Sequence, residues 1–130
     1  MIANSLHLSE QERRRAAELQ NRLITGSISK YNPHPSAALS LPPGRRILVP
    51  GQVEDDVSIR LGTRDICTNL ALLRSTREQN PDAILIYKPH PDVEAGLRPG
   101  ALSEATGYCD IMAADCDPIS LINQVDEVWT

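Results

Sequence analysis

Short apolar, β-branched runs alternate with helix-patterned segments from Arg46 onward, and no other feature constrains the fold of this chain as strongly. Arg46–Val49 and Ala83–Tyr87 read as strands, Tyr108–Met112 as a weaker one and Val125–Trp129 as a fourth. A helix over about Thr68–Gln79 lies between the first two, with Thr68 as cap, Pro81 just past its end, and Leu70, Leu73 and Thr76 as its inner stripe. A short helix near Ala101–Ala105 is expected next, and the Asp117-Pro118 pair opens another that runs through Asn123. Strands alternating with helices predict an α/β fold, a Rossmann-like parallel sheet with flanking helices and right-handed crossovers. A parallel sheet needs cover on both faces. The helices here leave one face thin, so the chain is expected to be a piece of a longer protein.

Ahead of the sheet, Ser9–Ile24 has the pattern of an amphipathic helix. Ser9 and Glu12 form a capping box, Ala16, Leu19 and Leu23 recur at helical spacing, and Glu10, Arg13, Arg14 and Glu18 supply a solvated face. Thr25–Gly44, punctuated by Pro33, Pro35, Pro42 and Pro43, reads as a linker or lid rather than packed core. The expected division is therefore residues 1–44, a helix and Pro/Gly-rich linker, and residues 45–130, an incomplete Rossmann-like domain.

Two strands run directly into polar loops, the place where open α/β sheets bind ligands. The first loop is Gly51-Gln52-Val53-Glu54-Asp55-Asp56, and the second is Pro89-His90-Pro91-Asp92 following Lys88. In an extended loop Gln52, Glu54 and Asp56 share one side and Asp55 the other. A carboxylate there can attack an anomeric carbon while a second carboxyl handles a proton. The same acids can hold Mg²⁺ or Mn²⁺ against a phosphate, or simply form a solvated turn at a helix start. Pro89 and Pro91 fix the backbone around His90, whose ring N–H can donate to a phosphate oxygen.

Other classes are disfavoured. The net charge of −4 and the lack of a basic block argue against nucleic-acid binding, and one tryptophan, three tyrosines and no phenylalanine leave few stacking platforms. No nucleotide-binding glycine fingerprint or P-loop occurs. Three cysteines without a C-x-x-C pair point to reduced thiols in a cytoplasmic setting. Cys109 and Cys116 enclose Asp110 and Asp115 but have no nearby histidine to complete a metal set.

The Pro50–Asp56 block, Asn69-Leu70-Ala71-Leu72-Leu73-Arg74, Asn80-Pro81-Asp82-Ala83, and above all Tyr87–Arg98 closely resemble the capsular polysaccharide biosynthesis glycosyltransferases, bacterial β-Kdo transferases. The resemblance extends from about Ser29 to Val128. It implies one part of a two-lobed (GT-B-like) transferase, with residues 45–130 as a nucleotide-sugar-binding domain. It also implies CMP-Kdo as donor substrate, no further cofactor and no metal. The Q-x-x-x-D element falls on Gln52 and Asp56, and the His-Pro element on His90 and Pro91. Asp56 is then the nucleophile of a retaining double displacement and His90 the contact to the CMP phosphate. Glu54 joins the catalytic group and Lys88 the donor-binding group. Implied partners are a lipid-linked, Kdo-terminated glycan acceptor and the capsule biosynthesis and export proteins, with the chain cytoplasmic or peripheral at the inner face of the cytoplasmic membrane. The residues alone also admit a metal-dependent phosphoesterase using Glu54, Asp55 and Asp56, and a non-catalytic binding remnant.

Overall fold

A computed structural model describes residues 7–30, 39–100 and 107–130. The expected helix near Ala101–Ala105 lies outside them. The chain divides into two compact units, residues 1–32 and 33–130.

In the first unit, α1 spans Glu10–Thr25. The capping box forms as read: Ser9 Oγ accepts from the Glu12 N–H at 3.3 Å, and Glu12 Oε2 accepts from the Ser9 N–H at 2.8 Å. Its apolar stripe does not bury. No residue of α1 is buried, and Leu19 is 57% exposed.

The second unit contains β1 (Arg46–Pro50), α2 (Val57–Gly62), α3 (Asn69–Gln79), β2 (Ile84–Lys88), α4 (Pro91–Glu94), β3 (Ile111–Met112), α5 (Pro118–Ile122) and β4 (Glu127–Val128). The four strands form one parallel sheet in the order β3-β2-β1-β4, with Leu48 level with both Ile86 and Val128. Alternation along β1 and β2 sends side chains to opposite faces. Ile47, Val49, Leu85 and Tyr87 meet Leu73 of α3 on one face, while Leu48 and Ile86 meet Leu121 of α5 on the other. The second face is better covered than the count of helices suggests. Leu39 and Leu41, from the stretch read as a linker, pack against it. The inner stripe of α3 is Asn69, Leu73 and Thr76; Leu70 is only half-buried.

The outer strands are shorter than their sequence runs, because an aspartate opens each. Asp110 donates its N–H to the Leu85 carbonyl at 2.9 Å and accepts the Leu85 N–H on Oδ2 at 2.8 Å. Asp126 does the same with Arg46, at 2.9 and 2.8 Å. A carboxylate thus stands in for a strand carbonyl. Upstream of β3, the Tyr108 carbonyl accepts from Arg77 Nε at 3.1 Å instead of joining the ladder. None of the three cysteines is paired in a disulfide.

The turn out of β1 depends on a glycine. A Cβ at Gly51 would stand 2.5 Å from Tyr87 Oη and 3.0 Å from Cζ. That hydroxyl is buried and has no hydrogen-bond partner among the described residues. Gly51→Ala is expected to cost about 1–3 kcal/mol through overpacking. Tyr87→Phe removes an unsatisfied buried group, so it should be neutral or stabilising by up to ~1–3 kcal/mol. The double variant should recover part of the glycine loss. Thermal melts of all four proteins decide this; a Tyr87→Phe protein clearly weaker than wild type would show that the hydroxyl has a stabilising partner.

Candidate functional site

Both polar loops leave the sheet at the carboxyl ends of adjacent parallel strands. β1 and β2 stay in register to their last residues, Pro50 opposite Lys88, and the Gly51 N–H donates to the Lys88 carbonyl at 2.7 Å. The two loops therefore start side by side.

In the first loop, the Asp56 N–H donates to the Val53 carbonyl at 3.0 Å, closing a turn that delivers Asp56 to the N-cap of α2. Asp56 Oδ1 accepts from the Ser58 N–H at 2.8 Å and the Ser58 hydroxyl at 2.6 Å. Both bonds fall on one oxygen. Oδ2 has no hydrogen-bond partner among the described residues, and the side chain is exposed. The Ser58 hydroxyl and N–H hold the Asp56 carboxyl below the ordinary aspartate range, with the charges of Arg98 and His90 adding to the effect. An ionised carboxylate with one uncommitted oxygen is what nucleophilic attack needs.

In the second loop, His90 caps α4. Its Nδ1 accepts from the Asp92 N–H at 3.2 Å, so the neutral ring carries its proton on Nε2 as a donor. Pro91 occupies the first helical position, where a missing N–H costs nothing. The loop then folds back on itself. The Leu97 and Arg98 N–H groups both donate to the Asp92 carbonyl, and Arg98 Nη2 and Nε reach Asp55 Oδ1 of the first loop at 2.7 and 3.1 Å. Arg98 thus ties the second loop to Asp55 of the first, and the charges of Arg98 and His90 act on the neighbouring Asp56. Arg98 was not legible as a site residue, because its partner lies 43 positions away.

Gln52 and Glu54 turn toward a different space. They line a cavity of about 450 Å³ with Thr68, Asn69, Leu72 and Thr130. It opens between the ends of β1 and β4, where the strand order reverses, the usual ligand crevice of such sheets. Glu54 Oε1 accepts from the Asn69 N–H at 2.8 Å and so caps α3. The loop does not keep Glu54 and Asp56 on one side: its turn separates them, and the three acids diverge to Asn69, Arg98 and Ser58. Among the described residues no group of three His, Cys, Asp or Glu side chains is placed to hold a metal. Lys88 leaves on the face opposite Tyr87, as its strand position requires. Its Nζ donates to Glu94 Oε2 at 3.3 Å and to the Ala114 carbonyl.

An open parallel sheet with this strand order and a ligand crevice at its carboxyl edge is a Rossmann-like α/β domain. The chain belongs to the capsule polysaccharide biosynthesis protein family, whose pattern matches residues 4–130. It is 44% identical over 133 residues to the capsule polysaccharide modification protein LipA of Neisseria meningitidis, covering 99% of this chain and 19% of LipA. It is 40% identical over 121 residues to the lipopolysaccharide-processing protein LpsZ of Rhizobium meliloti, covering 89% of this chain and 28% of LpsZ. Among solved structures it resembles two KpsC enzymes of Thermosulfurimonas dismutans. The β-Kdo 2,7 transferase matches at TM-score 0.65 and 33% identity, over 94% of this chain and 35% of that one. The β-Kdo 2,4 transferase matches at TM-score 0.75 and 26% identity, over 93% and 39%. The chain thus spans well under half the length of these relatives. No helix among the described residues is long and apolar enough to cross a membrane.

Proposed function

We propose that this chain carries the donor-side chemistry of a retaining Kdo transfer from CMP-Kdo to a lipid-linked, Kdo-terminated glycan. The observation that supports it most is the Asp56 carboxylate, capped by Ser58 through one oxygen and kept ionised, with the charges of Arg98 and His90 acting on it from the second loop. In the first step Asp56 Oδ2 forms a bond to the anomeric carbon as the bond from that carbon to the phosphate oxygen breaks, and CMP leaves with the electron pair. In the second, an acceptor hydroxyl attacks the same carbon from the other face, loses its proton to a base and releases the carboxylate. Two inversions retain configuration. The His90 Nε2–H donates to the departing phosphate. Gln52 and Glu54 line the neighbouring crevice and face bound sugar rather than the leaving group. Lys88, tied to Glu94, reaches the donor only if that pair opens. CMP leaves with a single phosphate, so the reading needs no metal and no further cofactor.

Intact-protein mass spectrometry with CMP-Kdo tests this: a Kdo adduct should appear on Asp56 in the absence of acceptor. No adduct on a folded sample that binds CMP, or activity abolished by EDTA, would count against it. His90→Ala should weaken CMP by roughly 10–100-fold, the worth of a hydrogen bond to a charged group. Calorimetric titration reads this directly, and unchanged affinity would remove His90 from the phosphate.

A further inference from the structure

We propose that Asn69 is the positioning residue of this site, holding the Gln52–Asp56 loop in the shape that presents the Asp56 carboxylate; this rests on the transfer reading above. Asn69 opens α3 and is 3% exposed, although neither its charge nor its size calls for burial. Its carboxamide pairs with both backbone groups of one residue, as a neighbouring strand would. Oδ1 accepts from the Gln52 N–H at 2.7 Å and Nδ2 donates to the Gln52 carbonyl at 2.9 Å. Its own N–H holds Glu54 Oε1 at 2.8 Å. Asn69 therefore grips the loop at residues 52 and 54, immediately before the turn that closes onto the Asp56 N–H.

The second loop reaches the same side chain. The Gly100 carbonyl lies 3.5 Å from Nδ2, and Gly100 has a φ of +126°, where a Cβ would stand 3.0 Å from that nitrogen. Asn69 thus contacts both the first loop and the segment that follows Arg98 in the second. No other side chain fits the task. Aspartate and serine lack an amide donor paired with an acceptor, and glutamine is one carbon too long for both bonds to Gln52. Asn69 touches no reacting atom in this scheme; it acts through the loop.

The test compares wild type with Asn69→Ala and Asn69→Asp on the same chain, with circular dichroism confirming that each is folded. Amide hydrogen exchange at Gln52 should rise at least about tenfold in Asn69→Ala. The rate of Kdo adduct formation should fall about 100-fold, the usual consequence of misplacing a reacting group by an ångström. CMP affinity should stay within about twofold, because His90 is untouched. Asn69→Asp keeps the acceptor for the Gln52 N–H, so its exchange and adduct rates should fall between those of the other two. Unchanged exchange at Gln52 would overturn the grip, and an unchanged adduct rate would overturn the positioning role. A wild-type chain that forms no adduct would instead overturn the transfer reading, and the exchange result would then decide the grip alone.

Discussion

Replacing Asp56 with asparagine is expected to abolish the Kdo adduct and to lower transfer by on the order of 10⁴-fold or more. Transfer is best measured both on this chain and on a chimera in which it replaces the matching segment of a full-length relative. Asparagine removes the anionic oxygen but keeps an oxygen that can accept the Ser58 bonds, and the two residues are about equally good N-caps. The melting temperature and CMP affinity should therefore barely move. The pH profile offers a second handle. The Asp56 carboxyl is held below its ordinary 3.8 by Ser58, then by Arg98 and His90. A lowered folded-state pKa means that the ionised, capped form persists as pH falls past the ordinary value and is lost only below it. The part of the acid limb due to Asp56 should accordingly lie below 3.8, and Ser58→Ala should move it upward. Near-normal turnover by Asp56→Asn would return this aspartate to the role of a plain helix cap.

Leu73→Ala should produce the largest loss of stability. Leu73 is fully buried and joins α3 to Ile47, Val49, Leu85 and Tyr87 of the two central strands. Truncation removes its transfer energy and leaves a cavity, for a combined ~2–5 kcal/mol. Total stability of a domain this size is about 5–15 kcal/mol, so the variant approaches the edge of folding. Trp129 packs beside the same cluster and is the chain's single tryptophan, so its fluorescence in urea follows this core directly. An unchanged midpoint would mean that α3 does not anchor that face.

What could be read from the sequence was whatever is encoded over a few neighbouring residues. The Ser9–Glu12 box, the Thr68 cap and the Asp117-Pro118 start are local hydrogen-bond chemistry, and each stands where its residues indicate. The β-branched runs gave the strands of the central pair for the same reason. The strand ends at Asp110 and Asp126 were misjudged, because hydropathy does not reveal a carboxylate substituting for a carbonyl. The short helices α2 and α4 carry too few residues to show a period, and a histidine cap such as His90 is rare. The candidate site was legible only as two polar loops after two adjacent strands. The Arg98–Asp55 pair and the grip of Asn69 were not, since they join positions 43 and 17 residues apart and depend on how the sheet is wound.

β1 lies at the centre of the sheet, yet one of its two neighbours arrives last. The bonds between Arg46 and Asp126 span 80 positions, and even those between Leu85 and Asp110 span 25. Every ladder is therefore a distant pairing, which places this unit among slow folders, for which chain closure precedes any reward. On the ribosome, at about 5–20 residues per second, on the order of 4–16 s separates the emergence of β1 from that of β4. For that interval the backbone of Ile47 and Leu48 is open along one side, and a nascent chain in that state is a natural client for a chaperone.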